Sequence, residues 1–184
     1  MYTHVWYVAA RSDELTDKPL HVKMLGTAFV LFRDAEGEAA CLSNACPHRG
    51  DSLANGTVSQ NGEIVCPFHG WHFNREGTCT RIPSVGDDDP QTAAPGARVD
   101  AYPVIEKQGL IWAFLGDEPE KAKPIMDIPE LNDPQYTMIP YDVIFESNFH
   151  TAKFSNLDYV HLPIVHGIRF EDNENPYQPP PHNV

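Results

Sequence analysis

The chain has 184 residues, enough for one domain with a sizeable core or for one small domain plus part of a second, and its formal net charge is -13. So acidic a balance argues against nucleic acid or an anionic membrane surface as partner, because phosphate repels it, and leaves a basic protein partner open. No apolar run approaches the ~20 residues that span a bilayer, and the opening MYTHVWYVAARSDEL lacks the basic-then-apolar layout of a secretion signal, so the expected location is the cytoplasm.

In chain order, WYVAA (6–10), VKML (22–25), AFVLF (28–32) and AACLS (39–43) are short β-prone runs, separated by Gly26 and by the turn residues 34–37. Two loops follow, CPHRG at 46–50 and CPFHG at 66–70. WHF (71–73) and TCTRI (78–82) then flank a second hairpin-like turn at 74–77, and the acidic, Pro- and Gly-rich stretch 85–100 reads as an exposed loop. YPVIEK (102–107) and LIWAFLG (110–116), joined by Gln108 and Gly109, predict a last hairpin, which closes a β-sandwich-like domain over residues 1–116. Residues 117–134, DEPEKAKPIMDIPELNDP, read as a connector, and 135–184 as the start of a second domain. There YTMIPYDVIFE (136–146) predicts a strand and SNFHTAKFSNLDYVH (147–161) a helix capped by Ser147, which Pro163 ends or distorts. The tail NENPYQPPPHNV is extended and proline-rich.

The loops carry the first constellation. Cys46 and His48 form C-x-H, and Cys66 and His69 form C-x2-H. In a reducing compartment closely patterned Cys and His favour metal ligation over disulfides. A mononuclear zinc would take all four donors tetrahedrally, but its paired ligands usually stand two to four residues apart, and a single spacer strains a shared metal. Buried cysteines beside surface histidines without any metal would not need matched prolines and glycines in both loops. A two-iron, two-sulfide cluster with two cysteines on one iron and two histidines on the other lets each loop serve both irons, so one intervening residue suffices.

CPHRG and CPFHGW resemble, residue for residue, the signature of the Rieske [2Fe-2S] proteins. The resemblance implies Cys46 and Cys66 on one iron, His48 and His69 on the other, Gly50 and Gly70 admitting backbone amides toward the sulfurs, and Trp71 shielding the site. The loops lack the extra cysteines of the respiratory class, and Cys41 and Cys79 read as small buried hydrophobes. That pattern resembles the lower-potential oxygenases and their ferredoxins.

A second constellation, DYVHLPIVHG, sets Asp158, His161 and His166 in D-x2-H-x4-H, and two imidazoles with a carboxylate are the donor set of non-haem Fe(II) oxygenases. With WYVAA, both loops, LIWAFLG and Asn148-Phe149 in the expected order, the chain resembles the α subunit of a Rieske non-haem iron aromatic-ring-hydroxylating oxygenase, closest in style to the α-only monooxygenases and demethylases. The resemblance implies a mainly β chain: a Rieske-type antiparallel β-sandwich followed by the beginning of an α+β helix-grip catalytic domain, truncated. It implies that His161 and His166 bind a mononuclear Fe(II), that Asp158 bridges to a cluster histidine of the neighbouring subunit in a homotrimer, and that a third carboxylate ligand lies downstream of Val184. Two departures stand out. Phe154 and Ser155 replace the usual Glu-Asn, with Asn156 displaced, and the carboxylates nearest after His166, Glu171, Asp172 and Glu174, read as a solvated loop. The implied function is O2-dependent hydroxylation or oxidative demethylation of a small aromatic substrate, with electrons from NAD(P)H through a reductase or ferredoxin. An electron-transfer protein with an incomplete iron site is the alternative.

Overall fold

The computed structural model describes residues 4–86, 96–139 and 141–167. The chain divides into two compact units, Met1–Tyr136 and Thr137–Val184. Most of the acidic stretch 85–100, the tail, and Glu171, Asp172 and Glu174 lie outside the described residues.

The first unit is built of antiparallel strands, as its alternating short apolar runs predict. They are β1 (Val5–Arg11), β2 (Leu20–Met24), β3 (Thr27–Arg33), β4 (Ala39–Ser43), β5 (Thr57–Val58), β6 (Ile64–Val65), β7 (His72–Phe73), β8 (Cys79–Arg81), β9 (Ala101–Tyr102), β10 (Val104–Lys107) and β11 (Leu110–Leu115). They form three sheets, ordered β1-β11-β10, β2-β3-β4-β9 and β5-β6-β7-β8. Residue pairs with left-handed φ make the tight turns: Leu25 and Gly26 (50° and 83°) between β2 and β3, and Gln108 and Gly109 (59° and 74°) between β10 and β11. Positive φ at both central residues matches the twist of the flanking strands.

The mainly β, antiparallel class is as expected, but a simple sandwich understates the layering. Strands β3 and β4 are covered on both faces. Val30, Phe32, Ala40 and Leu42 pack in one core with Ile64 and Phe73 of the small sheet and with Leu53 of the 3-10 turn before it, together with Cys46 and Cys66. Their neighbours Phe29, Leu31, Ala39 and Cys41 pack in another with Ile111, Ala113 and Leu115. Successive side chains on a strand point to opposite faces, so a strand buried on both must be apolar throughout, which is how FVLF and AACL read. Fully burying each of the larger side chains is worth about 1.5–3 kcal/mol.

The small sheet is seated on this wall by turn-to-turn contacts. Arg75 pairs with Asp34, joining the β7–β8 turn to the β3–β4 turn. Gly62, at φ 70°, lies so close that an added Cβ would overlap the backbone nitrogen of Ala35. Gly62→Ala therefore meets both an unfavourable φ and immovable backbone, and it should cost about 3 kcal/mol or more. Urea denaturation monitored by tryptophan fluorescence reads the change, and an unaltered midpoint would contradict the contact.

A fork between Arg33 and Glu106, with N–O distances of 2.8 and 3.2 Å, ties β3 to β10. Hydrogen bonding from Arg33 is the main reason that the Glu106 carboxyl is held below its ordinary value. A depressed folded value means that the contribution is complete above the unfolded value near ~4.3 and is lost as pH falls through the folded one. Glu106→Gln is expected to destabilise at neutral pH by about 1 kcal/mol, since the pair is part-exposed. The difference should vanish on acidification below the carboxylate range, as followed by thermal melts across pH.

In the second unit three sequence expectations are corrected. Among the described residues of 136–146 there is no strand: a strand needs a partner ladder for its amides and carbonyls, and no strand is found in this unit among the described residues. The helix is α1 (Phe149–Leu157), and Asn148, rather than Ser147, caps it by accepting the Thr151 amide at 3.0 Å. It ends at Asp158, and α2 (His161–Val165) follows. Pro163 sits in the first turn of α2, where its missing N–H costs no helical bond, so it begins a helix instead of ending one.

Candidate metal centres

The two Cys/His loops have one backbone design. In the first, the Cys46 amide donates to Asp51 O at 2.8 Å and the Gly50 amide to Cys46 O at 2.7 Å; in the second, Cys66 donates to Trp71 O at 2.9 Å and Gly70 to Cys66 O at 3.0 Å. Cysteine and glycine therefore hold the same places in both loops. The histidine alone shifts by one. Gly50 and Gly70 stand at φ 79° and 69°, and a Cβ on Gly50 would meet nothing, so what the loop demands there is a left-handed turn.

Buried Asn44 staples the first loop from beneath. Its Nδ2 donates to Ser52 Oγ at 2.9 Å, and its Oδ1 accepts the Ala54 amide at 2.9 Å. The second loop is flanked by His72 of β7, whose Nδ1 lies 3.0 Å from Oε2 of Glu63, the residue before β6. Neither support is evident from the loop motifs, though a polar Asn ending the apolar AACLS run is a signal.

Within this frame the donors sort by chemistry. Cys46 and Cys66 are 3% and 2% exposed, so both thiols are shut from water. Burial pushes the Cys46 thiol up to about 11, while the backbone N–H groups of His48 and Arg49 pull the other way and the adjacent Cys66 thiol adds to the rise. His48 and His69 are exposed above the thiols, their ring centroids 4.6 Å apart. Partial desolvation, then the His69 ring and the Arg49 cation, hold His48 below the usual imidazole value, which favours the neutral form that ligates metal. Trp71 lies parallel to the His48 ring, and Phe68 tilts against His69 with centroids 4.0 Å apart.

Among the described residues, no group of three or more His, Cys, Asp or Glu side chains is arranged to hold a single metal ion. A tetrahedral zinc would need all four on one ion. A two-iron cluster needs only two donors per iron, and two soft buried thiols beside two borderline imidazoles suit that division. Cys41 and Cys79 take no part: both are 1% exposed, in β4 and β8, with their thiols raised by burial, Cys41 to about 12.

In the second unit, His161 and His166 stand at the two ends of α2 with ring centroids 5.4 Å apart. Asp158 Oδ1 accepts the Val160 amide at 3.0 Å, and its Oδ2 lies 3.7 Å from His161 Nδ1. Asn156 is engaged within α1, donating to Ala152 O at 2.9 Å.

Twin loops on a small antiparallel sheet, with paired buried thiols and paired surface imidazoles, define a class of protein built to hold an iron–sulfur cluster. The family model of the Rieske [2Fe-2S] domain matches residues 5–103, and the chain belongs to that family. The toluene-4-sulfonate monooxygenase system iron-sulfur subunit TsaM1 of Comamonas testosteroni is 34% identical over 88% of this chain and 45% of its own length. The dicamba O-demethylase oxygenase component of Stenotrophomonas maltophilia is 34% identical over 89% and 47%. A crystal structure of dicamba monooxygenase bound to dicamba superposes with a TM-score of 0.78 at 32% identity, over 89% of this chain and 48% of that one. The Pseudomonas putida CBB5 NdmA QL mutant with theobromine gives 0.83 at 26% identity, over 96% and 53%. The chain thus spans about half the length of the relatives it matches.

Proposed function

We propose that this chain acts in the oxygenase component of a multicomponent Rieske non-haem iron oxygenase, a mono- or dioxygenase that hydroxylates or oxidatively demethylates a small aromatic substrate. NAD(P)H supplies the electrons through a separate reductase or ferredoxin. The observation that carries the reading is the pairing of two matched thiol/imidazole loops in one unit with a His161/His166/Asp158 group in the other, in a chain whose relatives include a monooxygenase subunit and an O-demethylase oxygenase component. Cys46 and Cys66 hold one iron of the cluster and His48 and His69 the other, while His161 and His166 hold a mononuclear Fe(II). When bound, the cluster passes single electrons and the mononuclear iron activates O2.

The remaining roles belong to this chain's side chains. Burial disfavours the free thiolate of Cys46, so its proton would leave in exchange for a metal. Asp158 Oδ2, 3.7 Å from His161 Nδ1, lies where its charge favours a proton on that nitrogen, and Nε2 would then be the nitrogen left to ligate the metal. In a homotrimer the same carboxylate would reach a cluster histidine of the neighbouring subunit, His69 being the candidate. No helix among the described residues is long and apolar enough to cross a membrane, and the proposed location is the cytoplasm. Iron and acid-labile sulfide per chain, with NAD(P)H-dependent O2 uptake in the presence of a reductase, test the reading. Two sulfides and three irons with coupled uptake are expected. Two irons, two sulfides and no uptake would replace it with an electron-transfer role.

A further inference from the structure

We infer that Trp71 is a positioning residue for His48: the indole, fixed by the core, holds the imidazole plane by stacking, in place of the hydrogen-bonded partner that usually orients a metal-ligating histidine. The inference rests on the cluster reading above and adds a residue to it.

The two rings come from different loops and lie 4.6 Å apart between centroids with 4° between their planes. That separation is within the offset-stacked range, and near-parallel planes maximise the contact between faces. Trp71 is itself braced. It is half-buried against the core that contains Leu53, Ile64 and Phe73, and its ring meets Phe73 at 6.4 Å. Its backbone carbonyl closes the second loop by accepting the Cys66 amide. His48, in contrast, is exposed, and among the described residues its ring nitrogens make no hydrogen bond.

A metal-bound histidine ordinarily donates its outer N–H to a carboxylate or carbonyl, which sets ring orientation. Here the indole face supplies the orienting contact. His69 has no equivalent: its neighbour Phe68 is 58% exposed and unbraced. The stack also keeps water from one face of His48. Reducing the cluster adds a negative charge, and a dry, electron-rich face disfavours that charge relative to solvent.

The test uses the full chain as wild type, Trp71→Phe and Trp71→Leu. With clusters loaded, Trp71→Leu should raise the midpoint potential and broaden the electron paramagnetic resonance lines of the reduced cluster, as His48 samples several orientations. Trp71→Phe, which keeps a stacking face, should restore line width and most of the potential. Before loading, the His48 ring protons should be displaced upfield in the wild type by the indole ring current and return toward ordinary values in Trp71→Leu. This last readout stands even if a variant does not load. Equal line widths and potentials in wild type and Trp71→Leu at matched cluster content, or an unshifted His48 resonance in the wild type, would overturn the inference. Failure of the wild type to take up two irons and two sulfides would instead sink the cluster reading, leaving the ring-current result to judge the stack.

Discussion

Cys46→Ser should abolish the broad visible absorption of the holoprotein and reduce iron and sulfide to background. The thiol it removes is 3% exposed and lies beside Cys66. A serine hydroxyl fits the space but is a hard, barely acidic donor that a buried site cannot ionise, so the cluster would lose one of its two soft ligands. Cys79→Ser is the matched control. Cys79 is as deeply buried but lies in β8 outside both loops, so its replacement should lower stability by about 1–3 kcal/mol through an ill-paired hydroxyl and leave the spectrum intact. A normal cluster spectrum in Cys46→Ser would refute the ligand assignment.

Asp158→Asn should leave iron and sulfide content unchanged and stop reductase-coupled O2 uptake. The substitution is locally gentle: the Asn oxygen can still accept the Val160 amide that Asp158 holds at 3.0 Å, so the junction of α1 and α2 is kept. What disappears is the negative charge 3.7 Å from His161 Nδ1. On the proposed mechanism that charge orients His161 and reaches a neighbouring subunit's cluster histidine. A loss of roughly 10–100-fold in rate is in line with removing a carboxylate that supports a metal-ligating histidine, and loss of the proposed bridge adds to it. Uptake at the wild-type rate would remove Asp158 from the pathway.

The strands and the loops were legible because each leaves a local trace. Alternation or continuous apolarity marked β1 to β4, β10 and β11, whereas the single run expected at 102–107 is split, with two-residue β9 pairing β4 in another sheet; CPHRG and CPFHGW carry their donors in five or six residues. What was missed is non-local. Strands β5 and β6 have two residues each, too few for a period, and exist because β5 ladders with β6 and β6 with β7. Apolar 136–146 resembles a strand by composition, yet pairing needs a neighbour that the sequence window does not contain. The cap moved from Ser147 to Asn148 because one residue of register decides which oxygen meets the Thr151 amide. Asn44, Ser52 and Trp71 gain their roles only once the chain has folded back on itself.

Strands β3 and β4 form a party wall between two cores, and alternate residues along them address different tenants. Val30 and Phe32 answer to the small sheet that carries the loops, whereas Phe29 and Leu31 answer to the outer sheet. Effects of substitutions on opposite faces of such a wall tend to add, because they share no packing partners. The loop-bearing side can therefore drift in sequence, and with it the surroundings of the four donors, without renegotiating the outer sheet. Such a layout gives a lineage separate controls for redox tuning and for keeping the domain folded.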